Sequence, residues 1–178
     1  MRRTVRKLTL MAALTAAALI VFIIEAQIPM PVPIQGAKLG LANAVTLFAL
    51  FFARKNGQNA DSLTVADAFM ILICRIILGA AFTGRIIAFI YSLAGGLLGF
   101  AAQAAIRKFV TNRQIWVCGA IGAVFHNVGQ ILVAMLVTGT PSIAVLLPVL
   151  TAVGIITGII TGLVAQFAIK FLGGMHPR

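Results

Sequence analysis

The chain has 178 residues, of which 61% are hydrophobic and 10% charged, and its mean hydropathy is +1.10. A soluble domain carries about 25% charged residues, so this composition excludes a soluble globular protein and indicates an all-α integral membrane protein. Fourteen Lys and Arg against three Asp and Glu give a net charge of +11, but the cations collect at helix ends, which excludes nucleic-acid binding and fits contact with anionic lipid headgroups.

The first predicted helix spans residues 8–24 and follows the basic stretch Arg2 to Lys7. A basic segment before an apolar run also opens a signal peptide. This run exceeds the usual apolar region of about 7–15 residues, and Ile24 stands two before the small Ala26, so we read a retained helix. Ala12, Ala13, Ala16 and Ala17 form two interleaved small-xxx-small pairs. Their spacing makes a smooth stripe suited to close helix approach, within the chain or to a partner. Beyond Glu25 come Pro29, Pro31 and Pro33, which lack amide donors and bias their predecessors away from helix, so this stretch is extended.

The second helix is predicted over residues 38–53, with Arg54 and Lys55 at its far end. After the polar NGQNADS, a third helix runs over residues 65–78, capped by Asp61, Ser62 or Thr64. Asp67 falls in its first turn, where the helix dipole favours an anion. The fourth spans 84–106, with a Gly/Ala-rich centre, SLAGGLLGFAAQAA. The fifth spans 115–137 and opens on Trp116, an interfacial anchor by type. The sixth spans 143–172, carries the ladder Gly154, Gly158 and Gly162, and is kinked or begun by Pro148. No internal repeat or second domain is visible, so residues 1–178 read as a single transmembrane domain of six helices.

Placing the N-terminus in the cytoplasm puts every cation except Lys38, Arg75 and Arg85 on the inner side, which satisfies the positive-inside rule with both termini cytoplasmic. The three exceptions and Glu25 then share the external level. One carboxylate against three cations leaves surplus positive charge in an apolar setting. That suits an anionic ligand such as a carboxylate, phosphate or diphosphate. The plainer alternative has Lys38 and Arg85 snorkelling to headgroups and Arg75 bonded to backbone carbonyls. A second polar group, His126, Asn127 and Gln130, lies within the fifth helix. His126 and Gln130 share a face, and polar groups inside a span need partners, whether neighbouring helices or a ligand.

Catalytic motifs are missing from the sequence. It has no phosphate-binding GxxxxGK[ST] loop, no acidic pair for magnesium and no nucleophile–base arrangement, so we expect neither an ATPase nor a catalyst, and no metal or cofactor. Cys74 and Cys118 sit in apolar runs and read as small buried residues.

The segments RRTVRKLTLMAALTAAA, IPMPVPIQGAKLGLANAVTLFAL, the run around Arg75, and HNVGQ at 126–130 together resemble the heptaprenyl diphosphate synthase component I family, also called the Gx transporter family. KLGLAN, closed by Asn43, is the most specific part, and Asn43 joins the candidate binding residues. That family in turn resembles the substrate-binding S components of energy-coupling factor (ECF) importers. The resemblance implies a six-helix bundle in the cell membrane that captures a small nutrient from outside, alongside a transmembrane T component and two cytoplasmic ATPases. It also implies that the alanine stripe of helix one docks the T component and that the Gln27 to Gly36 stretch gates the site. The family's enzyme name implies instead a non-catalytic role beside a prenyl diphosphate synthase.

Overall fold

The computed structural model describes residues 2–28, 39–55 and 63–174, without the side chains of 2–4, 53–55 and 172–174. Six α-helices are present among these: α1 (Arg2–Glu25), α2 (Asn43–Lys55), α3 (Val65–Thr83), α4 (Ile86–Ile106), α5 (Ile115–Thr138) and α6 (Leu147–Gly174). A 3₁₀ turn, Pro141–Leu146, leads into α6. Lys38, the three clustered prolines and Asp61 lie outside the described residues.

Five segments are long and apolar enough to cross a membrane: Val5–Glu25, Val65–Thr83, Ile86–Ile106, Ile115–Thr138 and Pro141–Phe171. The helix α2 differs. Its 13 residues make about 20 Å of helix against a hydrocarbon core of about 30 Å. It starts at Asn43 rather than at Lys38, because residues 39–42 are not helical. Gly40 has φ of +82°, a left-handed conformation that glycine adopts without steric cost. The lead-in closes through i→i+3 turns, Asn43 N–H to Gly40 C=O at 2.9 Å and Ala44 N–H to Leu41 C=O at 3.0 Å.

The short helix is the centre of the bundle. It touches every other α-helix, and Thr46, Leu47, Ala49, Leu50 and Phe51 are all essentially inaccessible. A helix apolar on every side is one buried on every side. Leu47, Phe48 and Phe51 pack with Ile115, Cys118, Ala165 and Ile169, while Ala49 and Leu50 pack with Leu63, Ala68 and Ile71.

The remaining helices are ordered by local chemistry. Thr64 and Asp67 form a reciprocal capping box at the start of α3, and Lys7 of α1 pairs with the same Asp67 carboxylate at 2.7 Å. Further along, the Phe22 ring lies against Gly79. The two contacts rise together in sequence, so α1 and α3 run parallel. Gly79 stays inside α3, which ends at Gly84 in the left-handed conformation. Arg75 is therefore near the middle of its helix, not at its outer end as the shorter predicted span implied. Pro148 is the second residue of α6, where a missing amide costs nothing.

The closest packing joins α5 to α6. A Cβ on Gly158 would lie 2.7 Å from Ala120 Cα and 2.8 Å from Ala123 Cβ, and one on Gly119 would meet the Gly158 carbonyl and the Gly162 backbone. Such backbone contact needs small residues. Replacing Gly158 by Leu is expected to push α5 and α6 apart and to lower stability by about 1–3 kcal/mol or more. Thermal unfolding in detergent checks this, and an unchanged midpoint would refute the packing assignment.

Candidate functional site

One group of polar residues inside the bundle converges where α2 begins. Three helix middles face this point. Arg75 is the eleventh residue of α3, Gly95 the tenth of α4 and His126 the twelfth of α5. Glu25, Arg75, His126 and Gln130 are each no more than 4% exposed.

Glu25 reaches from the last turn of α1 to the lead-in of α2. Its carboxylate accepts the Gly40 N–H at 2.5 Å and the Ala42 N–H at 3.4 Å. A helix N-terminus leaves amides without intrahelical partners and carries partial positive charge, so a carboxylate is the natural complement. It comes here from a residue 15 positions before Gly40.

Asn43 is the hub. Its Oδ1 accepts from Arg75 Nη2 at 3.2 Å, and its amide nitrogen lies 3.3 Å from His126 Nδ1. On the other side of the ring, the Gln130 amide nitrogen lies 3.0 Å from His126 Nε2. A neutral imidazole has one acceptor nitrogen, so it accepts from only one of these amides. The ring is sandwiched by glycine. A Cβ on Gly95 would stand 2.8 Å from Nδ1, and one on Gly40 would stand 3.4 Å from Cδ2. The Gly/Ala-rich centre of α4 thus makes room for a histidine as well as for helix packing.

Arg75 is the unusual member. Its guanidinium lies 5.8 Å from the Phe22 ring centroid, within cation–π range. Among the described residues its one side-chain hydrogen bond is to Asn43, and its buried Nε has no partner. Glu25 acts on it through space but makes no ion pair with it. A buried charge without an ion-pair partner is costly. Thr46 sits one turn beyond Asn43 on the same face of α2, and its buried hydroxyl is also without a hydrogen bond.

The other expected residues lie elsewhere. Asn127 turns toward α6, donates to the Leu150 carbonyl at 2.5 Å and fills the space beside Gly154, so it ties α5 to α6. Arg85 is exposed at the start of α4 and makes no side-chain cap there. Ala12, Ala13, Ala16 and Ala17 are all exposed on α1. Sequence reasoning missed Thr46, Phe22 and the glycines around His126. Only Thr46 left a usable signal, the i+3 spacing from Asn43. Among the described residues no three His, Cys, Asp or Glu side chains converge as a metal site.

These features define a helical membrane protein with a buried, incompletely satisfied polar centre. The chain belongs to the heptaprenyl diphosphate synthase component I family, whose model matches residues 14–168. The family description is that of a component of heptaprenyl diphosphate synthase. No curated protein and no solved structure matches the chain.

Replacing Asn43 by Ala removes the side-chain partner of a buried guanidinium, a loss of about 1.5–3 kcal/mol for a hydrogen bond to a charged group. The expected result is a clearly lower unfolding midpoint in detergent, while Gln114→Ala, in the exposed connection before α5, stays near the wild-type value. Equal midpoints for the two variants would show that Asn43 is not the hub.

Proposed function

We propose that this chain is the substrate-capture subunit, or S component, of an ECF-type importer, and that it binds a small anionic nutrient at the Arg75–Asn43–His126 centre. The observation that carries the reading is Arg75. It is buried, charged, unpaired with any carboxylate among the described residues, and its Nε has no hydrogen-bond partner there. An anionic group on a ligand supplies the missing counter-charge and hydrogen bonds. Gln130 and Thr46 offer further polar contacts around it. In this reading α2, with its non-helical lead-in, is the sixth crossing of the cell membrane, and both termini are cytoplasmic; the gating stretch Gln27 to Gly36, from Pro29 on, and Lys38 lie outside the described residues.

The exposed alanine stripe of α1 supports the transport half of the proposal. Small residues that no other described part of the chain covers suit the close approach of a second membrane helix, here the T component with its two ATPases. A second reading draws on the family's name: a membrane subunit that supports heptaprenyl diphosphate synthesis beside a soluble synthase. It shares the buried centre and differs in the partner.

Arg75→Ala is expected to abolish retention of the bound small molecule in native mass spectrometry while the protein still inserts in the membrane. Unchanged retention would end the anion-site reading. Ala13→Trp is expected to prevent co-purification of the ATPase partners without affecting ligand capture. Recovery of a prenyl synthase and no ATPase with the wild-type chain would favour the second reading.

A further inference from the structure

The connection between α4 and α5 is a basic surface with an exposed aromatic ring, at the end of the bundle where α1 begins. We propose that it is a binding site for anionic phospholipid headgroups, which Lys108 and Arg113 hold while Phe109 inserts beside them as an anchor. The inference stands apart from the capture reading and needs no ligand in the buried centre.

Packing gathers the charge at this end. Lys7 of α1 meets Asp67 in the first turn of α3. The ring of Phe69, near the start of α3, lies 5.6 Å from that of Phe100, near the end of α4, so these two helices run antiparallel. A Cβ on Gly162 of α6 would stand 2.5 Å from Trp116 Cα at the start of α5, which brings the end of α6 to the same side. Exposed Arg6, Lys108, Arg113 and Lys170 therefore share this end, and Arg85 lies at the other. The whole chain has three carboxylates. Glu25 is held at the far end by the lead-in of α2, and Asp67 is paired with Lys7. Asp61, outside the described residues, follows Arg54 and Lys55 in the same α2–α3 connection. One carboxylate cannot neutralise so many cations.

The α4–α5 connection also has a fixed shape. The Phe109 N–H donates to the Ile106 carbonyl at 2.8 Å and the Gln114 N–H to the Thr111 carbonyl at 2.9 Å, which closes two turns. Val110 between them is buried and packs with Ile115 and Cys118. With Val110 as the inward peg, Lys108, Phe109 and Arg113 are left exposed, the ring to 86%. An apolar ring is costly in water and favoured at the boundary between headgroups and acyl chains, where neighbouring Lys and Arg reach the phosphates. Trp116, half-exposed at the start of α5, is of the type that marks this interface. Cations next to a membrane-spanning helix, without acids to offset them, attract anionic lipid. A protein partner would have to supply acidic groups and an apolar pocket together, whereas an anionic bilayer offers both.

The test uses the full chain in bilayers and its only tryptophan, Trp116, as a local probe. Phosphatidylglycerol or phosphatidylcholine with brominated acyl chains, which quench indole fluorescence at short range, is mixed into unlabelled phosphatidylcholine at increasing fractions. Wild type is expected to take brominated phosphatidylglycerol at least about fivefold in preference to the phosphatidylcholine, the scale for two cations near the surface. Salt at 1 M, with a screening length of about 3 Å, is expected to reduce that preference. The double variant Lys108→Gln/Arg113→Gln is expected to bring it close to unity, while Arg85→Gln leaves it as in wild type. Equal quenching by the two lipids in wild type would overturn the inference and leave the surface to a soluble partner. A preference that survives in the double variant, or that Arg85→Gln removes equally, would also overturn it.

Discussion

The structure depends on a helix that begins inside the protein. At 13 residues α2 is short of a full crossing, and its non-helical lead-in holds buried positions, Gly40 and Ala42 among them, instead of lying in water. Unsatisfied amides in that setting cost several kcal/mol each. The Glu25 carboxylate meets those of Gly40 and Ala42. This one interaction ties the end of α1 to the start of α2 and sets the level at which Asn43 enters the bundle. From Asn43 follow the position of Arg75 on one side and of the His126 ring on the other.

Small residues make the arrangement sterically possible. Gly95 and Gly99 of α4 leave the space that His126 occupies, and Gly154 leaves the space for Asn127. Gly119, Gly158 and Gly162 bring α5 and α6 to backbone contact. The bundle is thus tight around the polar residues and apolar outside, where Ile156, Val164, Phe167 and Phe171 of α6 are exposed. Without a lipid-phase hydrophobic force between helices, packing of this closeness and internal hydrogen bonds supply the cohesion.

The proposed function rests on a place where this satisfaction stops. Most polar groups in the centre are matched, but Arg75 Nε and the Thr46 hydroxyl are not. A matched buried network rigidifies a fold, and a partly matched one leaves contacts for something else to complete. The exposed alanines of α1 are a separate feature on a separate surface. Transport and synthase support differ in what covers that surface, and they share the buried centre.

Composition and hydropathy alone determined the class, because 10% charged residues cannot clothe a soluble domain. The extra cost of charge in an apolar run singled out Glu25, Arg75 and His126 as residues to explain. Capping chemistry put Asp67 in the first turn of α3 and left Asp61, Ser62 and Thr64 as candidate caps; the structure takes Thr64, which forms a capping box with Asp67. Longer-range matters were not legible. An apolar run of 16 residues reads as one helix, and only the left-handed Gly40, held by a carboxylate 15 residues away, breaks it at Asn43. Neighbouring residues on a helix point in different directions. His126 and Asn127 therefore look like one cluster in sequence yet serve different interfaces, the first facing Asn43 and the second α6. Tertiary structure decided these points, because the partners come from other helices and their meeting depends on three-dimensional packing.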